Sequence, residues 1–220
     1  MKTNFVSTQV ADETLHLFPE MVVHWPSQNV LFVSDIHLGK SASQRSRSLY
    51  IPRGSDEDDL VLLETLVKNT KSEKLIVLGD LFHDSFALSV DTMLTFKSWL
   101  KSLGIEVTLI IGNHDRKAVK KIANLPIIIQ NQGVSLGPFF LSHEPEIVEG
   151  HFTLCGHLHP GVRYRDEAGC FHKAKAFWIG SSQMVLPAFG STTSMTTISA
   201  QKGDMMYVCG DQNLYQMPVR

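Results

Sequence analysis

Apolar and polar positions change rhythm three times along this chain. In the first 30 residues, short β-type runs at 5–10, 14–17 and 21–25 are broken by Ala11-Asp12-Glu13 and Pro19-Glu20, the pattern of antiparallel hairpins. Continuous apolar runs follow at Val30-Leu31-Phe32-Val33, Leu75-Ile76-Val77-Leu78 and Val107-Thr108-Leu109-Ile110-Ile111. Such runs suit strands buried on both faces, because a half-exposed strand would alternate. Helical periodicity lies between them. One helix is predicted over 56–69, with Ser55 as N-cap, acids Asp56 to Asp59 at its positive end, and Leu60, Leu63 and Val67 on one face. A second is predicted over 90–103, with Met93, Phe96, Leu100 and Leu103 as its stripe and Gly104 as its stop. Short strands return at 127–130, 139–142, 152–155, 171–179 and 205–209. The expected fold class is α/β, a mixed sandwich with sheets inside and helices outside.

Composition narrows the class. The 220 residues are 43% apolar and 19% charged, with twelve Phe, enough to bury a core and the opposite of a disordered balance. No repeat or linker divides the chain, so a single domain over 1–220 is expected. No window approaches the ~18 consecutive apolar residues of a membrane span, and the first residues lack the apolar run of a secretory signal. A cytoplasmic protein without a membrane partner is the expectation. Cys155, Cys170 and Cys209 have no CxxC spacing, which points to free thiols and not to a disulfide framework or zinc finger. A net charge of −2 argues against a globally basic nucleic-acid binder, though not against a local basic patch. The ten histidines stand out.

Five apolar runs end in polar clusters: Asp35-Ile36-His37, Gly79-Asp80, Gly112-Asn113-His114-Asp115, His143-Glu144 and Gly156-His157-Leu158-His159. Strand ends of this kind converge, and ligands bind outside the carboxyl ends of strands. Imidazoles, carboxylates and an amide carbonyl make a mixed N/O donor set that suits manganese, iron or zinc, whereas magnesium would favour oxygen alone; manganese is the expected ion, with iron or zinc as alternatives. An isolated DxH or GD has an ordinary explanation, since Asp and Gly after a strand are common turn residues; GNHD and GHxH are stronger signals, because clustered histidines in a buried loop are costly to bury. Together and in this order they are not turn chemistry.

The order DxH, GD, GNH[DE], H, GHxH resembles the signature of the calcineurin-like metallophosphoesterase superfamily. That resemblance implies a four-layer sandwich of two mixed β-sheets flanked by helices. It also implies two divalent metal ions, one held by Asp35, His37 and His159, the other by Asn113, His143 and His157, with Asp80 shared. Two ions ~3.5–4 Å apart can share a carboxylate, activate a water and neutralise a phosphoryl group. His114, beside Asn113 but not needed for coordination, is the candidate general acid, and Asp115 is expected to fix its tautomer and raise its pKa. The segment between His37 and Asp56 carries Lys40, Arg45, Arg47 and Arg53 and no acid. These residues, with His83 and Arg116, are candidate substrate-binding groups for phosphates flanking the scissile one. Lys173 and Lys175 belong less clearly to that set, because their alternation also suits an exposed strand face.

A narrower resemblance spans nearly the whole chain. The stretches 31–40, Ile51-Pro52-Arg53-Gly54, 77–83, 112–116, Gly156-His157-Leu158-His159-Pro160 and Leu186-Pro187-Ala188-Phe189-Gly190 look like the PdeM family of bacterial ligase-associated DNA damage response endonucleases. It implies a DNA substrate and a functional association with a ligase, a helicase and an exonuclease; it does not fix an oligomeric state. Two other readings stand beside it. One is a small-molecule phosphodiesterase or nucleotide pyrophosphatase on the same scaffold, against which the chain shows no insertion of apolar helices to cap a lipid. The other is a non-catalytic binding module, against which the ligand set and His114 are intact.

Overall fold

Side-chain alternation along one sheet decides which of two cores each residue joins. The computed structural model describes residues 4–46, 54–83, 88–166 and 168–217. The first sheet contains β1 (Val6–Val10), β2 (Glu13–Leu17), β3 (Val23–Trp25), β4 (Val30–Val33), β5 (Lys74–Leu78), β6 (Glu106–Ile110) and β7 (Ile128–Gln130), paired in chain order. Strands β1 to β4 are antiparallel hairpins, as their broken pattern predicts; β4 to β7 are parallel. Parallel neighbours need crossovers, supplied by α1 (Lys40–Ser46) and α2 (Ser55–Thr70) after β4, α3 (Val90–Leu103) after β5 and the short α4 (Val119–Ile122) after β6.

Successive strand residues point to opposite faces. Leu31, Val33, Leu75, Val77, Val107 and Leu109 therefore pack with Leu60, Leu63, Phe96 and Leu100 of the helices. Their neighbours Phe32, Ile76, Leu78 and Ile110 face the other way and meet Phe139, Leu154, Phe177 and Leu186 of the second sheet. Continuous apolar runs are thus required by a sheet that is covered twice.

The second sheet is mixed. It holds β8 (Val134–Leu136), β9 (Phe139–Leu141), β10 (Phe152–Cys155), β11 (Pro160–Arg165), β12 (Phe171–Ile179), β13 (Gln183–Val185), β14 (Thr196–Thr197), β15 (Met205–Cys209) and β16 (Leu214–Met217). Their order is β14-β11-β12-β13-β10-β9-β8, with β15 joined to β12 and β16 to β15. The α/β sandwich of two mixed sheets is the observed architecture. On the outer face of the second sheet, however, the cover over Val162, Ala176 and Met206 is provided by Ile198 and Ala200 of a loop segment, in place of a helix. One cap also differs: Gly54, not Ser55, precedes α2, because a φ of 94° lets its carbonyl take the Asp58 N–H at 2.8 Å. Helix α3 starts and stops as its caps predict, with Ser89 Oγ accepting from Thr92 N–H and Gly104 left-handed at φ 66°. Among the described residues no helix is long and apolar enough to cross a membrane.

Candidate active site

The loops that leave β4 and β5, and those that leave β9 and β10, are joined by main-chain hydrogen bonds. Asp35 N–H donates to Gly79 O at 3.1 Å, His37 N–H to Asp80 O at 2.9 Å, Gly156 N–H to His143 O at 3.0 Å and Gly190 N–H to Asp35 O at 3.1 Å. Side chains far apart in sequence are thereby fixed within one cluster. Of the ten non-glycine residues with positive φ among those described, five are Asp35, His37, Asp80, His157 and His159. L-residues avoid this region at a cost of about 1–2 kcal/mol each. Strain concentrated on the candidate ligands marks a site that the surrounding bonds force into shape.

Each carboxylate divides its labour. Asp35 Oδ2 lies 2.7 Å from Ser34 Oγ and accepts His157 N–H at 3.0 Å. Its Oδ1 is buried and receives no hydrogen bond, but sits 3.0 Å from His159 Nε2 and 3.8 Å from His37 Nε2. Asp80 Oδ1 accepts His114 N–H at 2.9 Å, while Oδ2 stands 3.7 Å from His37 Nε2 and 3.5 Å from His143 Nε2. A third set is tighter: Asn113 Oδ1 is 2.9 Å from His143 Nε2 and 3.1 Å from His157 Nδ1, and those nitrogens are 3.1 Å apart. Donors around one ion at ~2.1 Å are separated by roughly 3.0–3.4 Å. The structure therefore places Asp35, His37 and His159 in one donor triangle and Asn113, His143 and His157 in another, with Asp80 Oδ2 facing both.

Electrostatics favour a cation here. Burial lowers the pKa of His37 and so keeps its imidazole neutral, the form that ligates metal. Burial opposes ionisation of Asp35, but the adjacent His159 imidazole, with His143 and the Ser34 hydroxyl, outweighs it and its pKa falls. Burial raises Asp80 against the pull of His143. Ring nitrogens face each other at 3.5 Å (His37 and His159) and 3.1 Å (His143 and His157), an arrangement that a cation between them would satisfy. An unsatisfied buried carboxylate oxygen beside them fits the same requirement. The donor set is suited to two divalent cations.

His114 is 35% exposed, with Nε2 4.0 Å from Asp80 Oδ2. Its Nδ1 is hydrogen-bonded to the His83 carbonyl, which leaves Nε2 free toward the cluster, and its ring stacks on His83. The tautomer is therefore set by a main-chain carbonyl and not by Asp115, as its sequence neighbourhood had implied. Asp115 turns away: its oxygens accept the N–H groups of Phe82 at 3.0 Å, Gly112 at 3.1 Å and Leu81 at 3.3 Å. It clamps the loops after β5 and β6 together, and burial pushes its carboxyl up to about 6.

The substrate-binding candidates separate. Lys40 begins α1, half-buried, and its charge reaches Asp35, Asp80 and His37. His83 meets His37 edge to face at 5.6 Å. Arg116 is exposed, 4.0 Å from Glu144, and lines a cleft of about 470 Å³ beside His143. Arg45 is carried on α1, whereas Arg47 and Arg53 lie outside the described residues. Two residues take positioning roles that the sequence does not assign to them. Ser34 holds Asp35, and Lys175 Nζ donates to Ala188 O at 2.7 Å and Gly190 O at 2.9 Å, pinning the loop whose Gly190 N–H bonds to Asp35 O. Alternation around Lys175 was the one available signal.

Known proteins bear on this arrangement. No curated protein sequence matches the chain. Among solved structures, Pseudomonas putida nuclease MPE is similar over 97% of this chain and 100% of its own, with 29% identity and a TM-score of 0.84. A protein of unknown function from Aquifex aeolicus, AQ665, covers 64% of this chain and 82% of its own at 19% identity and a TM-score of 0.42. The family model for calcineurin-like phosphoesterases matches residues 28–168, the span that contains every donor described above. The chain belongs to the calcineurin-like phosphoesterase family and is a metal-dependent phosphoesterase.

Proposed function

We propose that this phosphoesterase is a nuclease that hydrolyses DNA phosphodiesters with two manganese ions, in the service of DNA repair. The observation that carries the reading is the likeness to a nuclease along almost the full length of both chains. One ion is assigned to Asp35, His37 and His159, the second to Asn113, His143 and His157, with Asp80 Oδ2 between them. When bound, the ions supply Lewis-acid stabilisation of phosphoryl charge and a nucleophile at neutral pH. His114 delivers a proton from Nε2 to the leaving oxygen, with its Nδ1 held by the His83 carbonyl. Lys40 and Arg116 flank the approach and meet neighbouring phosphates. The repair role, and an association with ligase, helicase and exonuclease, rest on the family resemblance of the motifs.

The test is a panel of single-stranded, nicked and duplex DNA beside mononucleotide diesters and bis-p-nitrophenyl phosphate, in manganese. DNA cleavage with the chelator-sensitive metal dependence of bis-p-nitrophenyl phosphate hydrolysis is expected. Turnover of the small diesters with no DNA cleaved in any form would overturn the nuclease reading.

A further inference from the structure

The hairpin formed by β11 and β12 starts at Pro160, directly after His159, and projects past the rest of its sheet. Its register pairs Gly161 with Lys175, Arg163 with Lys173 and Arg165 with Phe171, and residues directly opposite share a face. The intervening pairs, Val162 with Ala174 and Tyr164 with His172, occupy the other face. The sequence therefore sorts by side. One face carries Lys175, Lys173, Arg163, Arg165 and the ring of Phe171. The other is largely apolar at its base and borders a groove with Val208 and Tyr215 of β15 and β16.

We infer that the cationic face of this hairpin is a guide for a nucleic-acid single strand that leads its backbone to the metal centre, an inference that rests on the nuclease reading. Three observations carry it. First, the face is continuous with the site: Lys175, at its base, bonds the carbonyls of Ala188 and Gly190 in the loop tied to Asp35. Second, its cations are unpaired among the described residues, which do not include Glu167 at the tip. Arg163, Arg165 and Lys173 are all exposed and make no ion pair among the described residues. Asp166, the one described acid near the tip, is engaged by His172 at 2.7 Å on the Tyr164 side and by Cys170 N–H at 2.8 Å. Like charges directly opposite, as in Arg163 and Lys173, destabilise a hairpin, and a polyanion would relieve that repulsion.

Third, the groups have the chemistry of single-strand recognition. The guanidinium carbons of Arg163 and Arg165 lie 4.0 Å and 4.4 Å from the Phe171 ring centroid. A guanidinium held against a ring by such a cation–π contact can still offer N–H donors to phosphate oxygens. Phe171 is 56% exposed, and an aromatic ring among cations is the platform on which bases stack without sequence preference. Alternate side chains repeat every ~6.6 Å along a strand, a spacing on the scale of successive phosphates in an extended backbone. The local patch also explains how a chain with net charge −2 can hold a polyanion.

The experiment compares the full-length, manganese-loaded protein with Arg163→Ala/Arg165→Ala/Lys173→Ala, measuring bis-p-nitrophenyl phosphate hydrolysis and cleavage of a labelled oligodeoxynucleotide over a range of salt. The triple variant is expected to keep bis-p-nitrophenyl phosphate turnover within twofold. Its KM for the oligonucleotide should rise at least tenfold, and the slope of log(kcat/KM) against log[salt] should flatten by about two, the value for three single-strand phosphate contacts. Phe171→Leu, which keeps an apolar side chain, should raise the oligonucleotide KM about fivefold. Unchanged oligonucleotide KM and salt slope in the triple variant, the result if the hairpin serves a protein partner, would overturn the inference while the nuclease reading stands. A wild-type protein that hydrolyses bis-p-nitrophenyl phosphate but neither binds nor cleaves the oligonucleotide would overturn both.

Discussion

Gly156→Ala places one methyl group where the account says none fits. A Cβ at this position would lie 1.7 Å from Ser34 Oγ and 2.4 Å from Asp35 Oδ2. Ordinary contact requires about 3.4 Å, so the Asp35 carboxylate would have to retreat by about 1 Å. It has little room to do so: Oδ2 is held by Ser34 Oγ and His157 N–H, and Ser34 Oγ is also 2.9 Å from Leu78 O. Overpacking a filled interior costs about 1–3 kcal/mol, which a domain of ordinary stability survives. The chemistry is less tolerant. Displacing a donor by about 1 Å, or removing the bonds that orient it, costs on the order of 10²-fold in rate or metal affinity. Manganese content by elemental analysis and bis-p-nitrophenyl phosphate turnover should therefore both fall at least about 100-fold at limiting metal, with melting lowered but cooperative. Gly150→Ala is the control: it adds backbone strain at a φ of 77°, which Gly156 does not have, but no clash, since its Cβ meets nothing within 4 Å. Gly156→Ala with metal content and turnover within twofold of wild type would refute the reasoning.

His114→Ala should keep its metal and lose roughly 10²–10⁴ in kcat on DNA or alkyl diesters, with a much smaller loss for the p-nitrophenolate leaving group; loss of metal would show that the ring coordinates. Asp115→Asn should cost about 1–3 kcal/mol in chemical denaturation, because an amide NH₂ faces main-chain N–H donors. The alkaline limb of its pH–rate profile should not move, and a shift of about one unit would mean that Asp115 does tune His114. Asp59 accepts Ser191 N–H and lies close to Ser191 Oγ, and burial raises its pKa from 3.8 to about 6. The folded state thus binds this proton more tightly, and its contribution to stability is lost as pH rises from about 4 through 6. Relative to wild type in EDTA, Asp59→Asn should gain about 2 kcal/mol between pH 4 and pH 7; a constant difference across that range would contradict the assignment.

Much of this was legible in the residues because the chemistry is local. Each donor cluster directly follows an apolar run, so strand and site are read together, and α3 announces both of its ends. Other elements leave no such trace. Helix α1, Lys-Ser-Ala-Ser-Gln-Arg-Ser, has no apolar periodicity because it is short and polar. Strand β11 is not among the predicted strands: it begins Pro-Gly, and Pro160 opens the strand, where a missing N–H is tolerated. Asp115 shows the limit most clearly. Adjacent to His114 in sequence, it points away because the 3₁₀ turn at Asp115–Lys117 aims its carboxylate at the loop amides. Sequence neighbours share a backbone, and the direction of a side chain depends on what that backbone does next.

The central claim is that two donor triangles sharing Asp80 hold a pair of ions that act together on a phosphodiester. Titrating chelator-treated protein with manganese while recording bound metal and bis-p-nitrophenyl phosphate hydrolysis tests it most directly. Two ions per chain should bind, with turnover following occupancy of the second and vanishing again on chelation. Protein loaded with two ions and inert toward the diester, or full turnover at one ion per chain, would contradict the account.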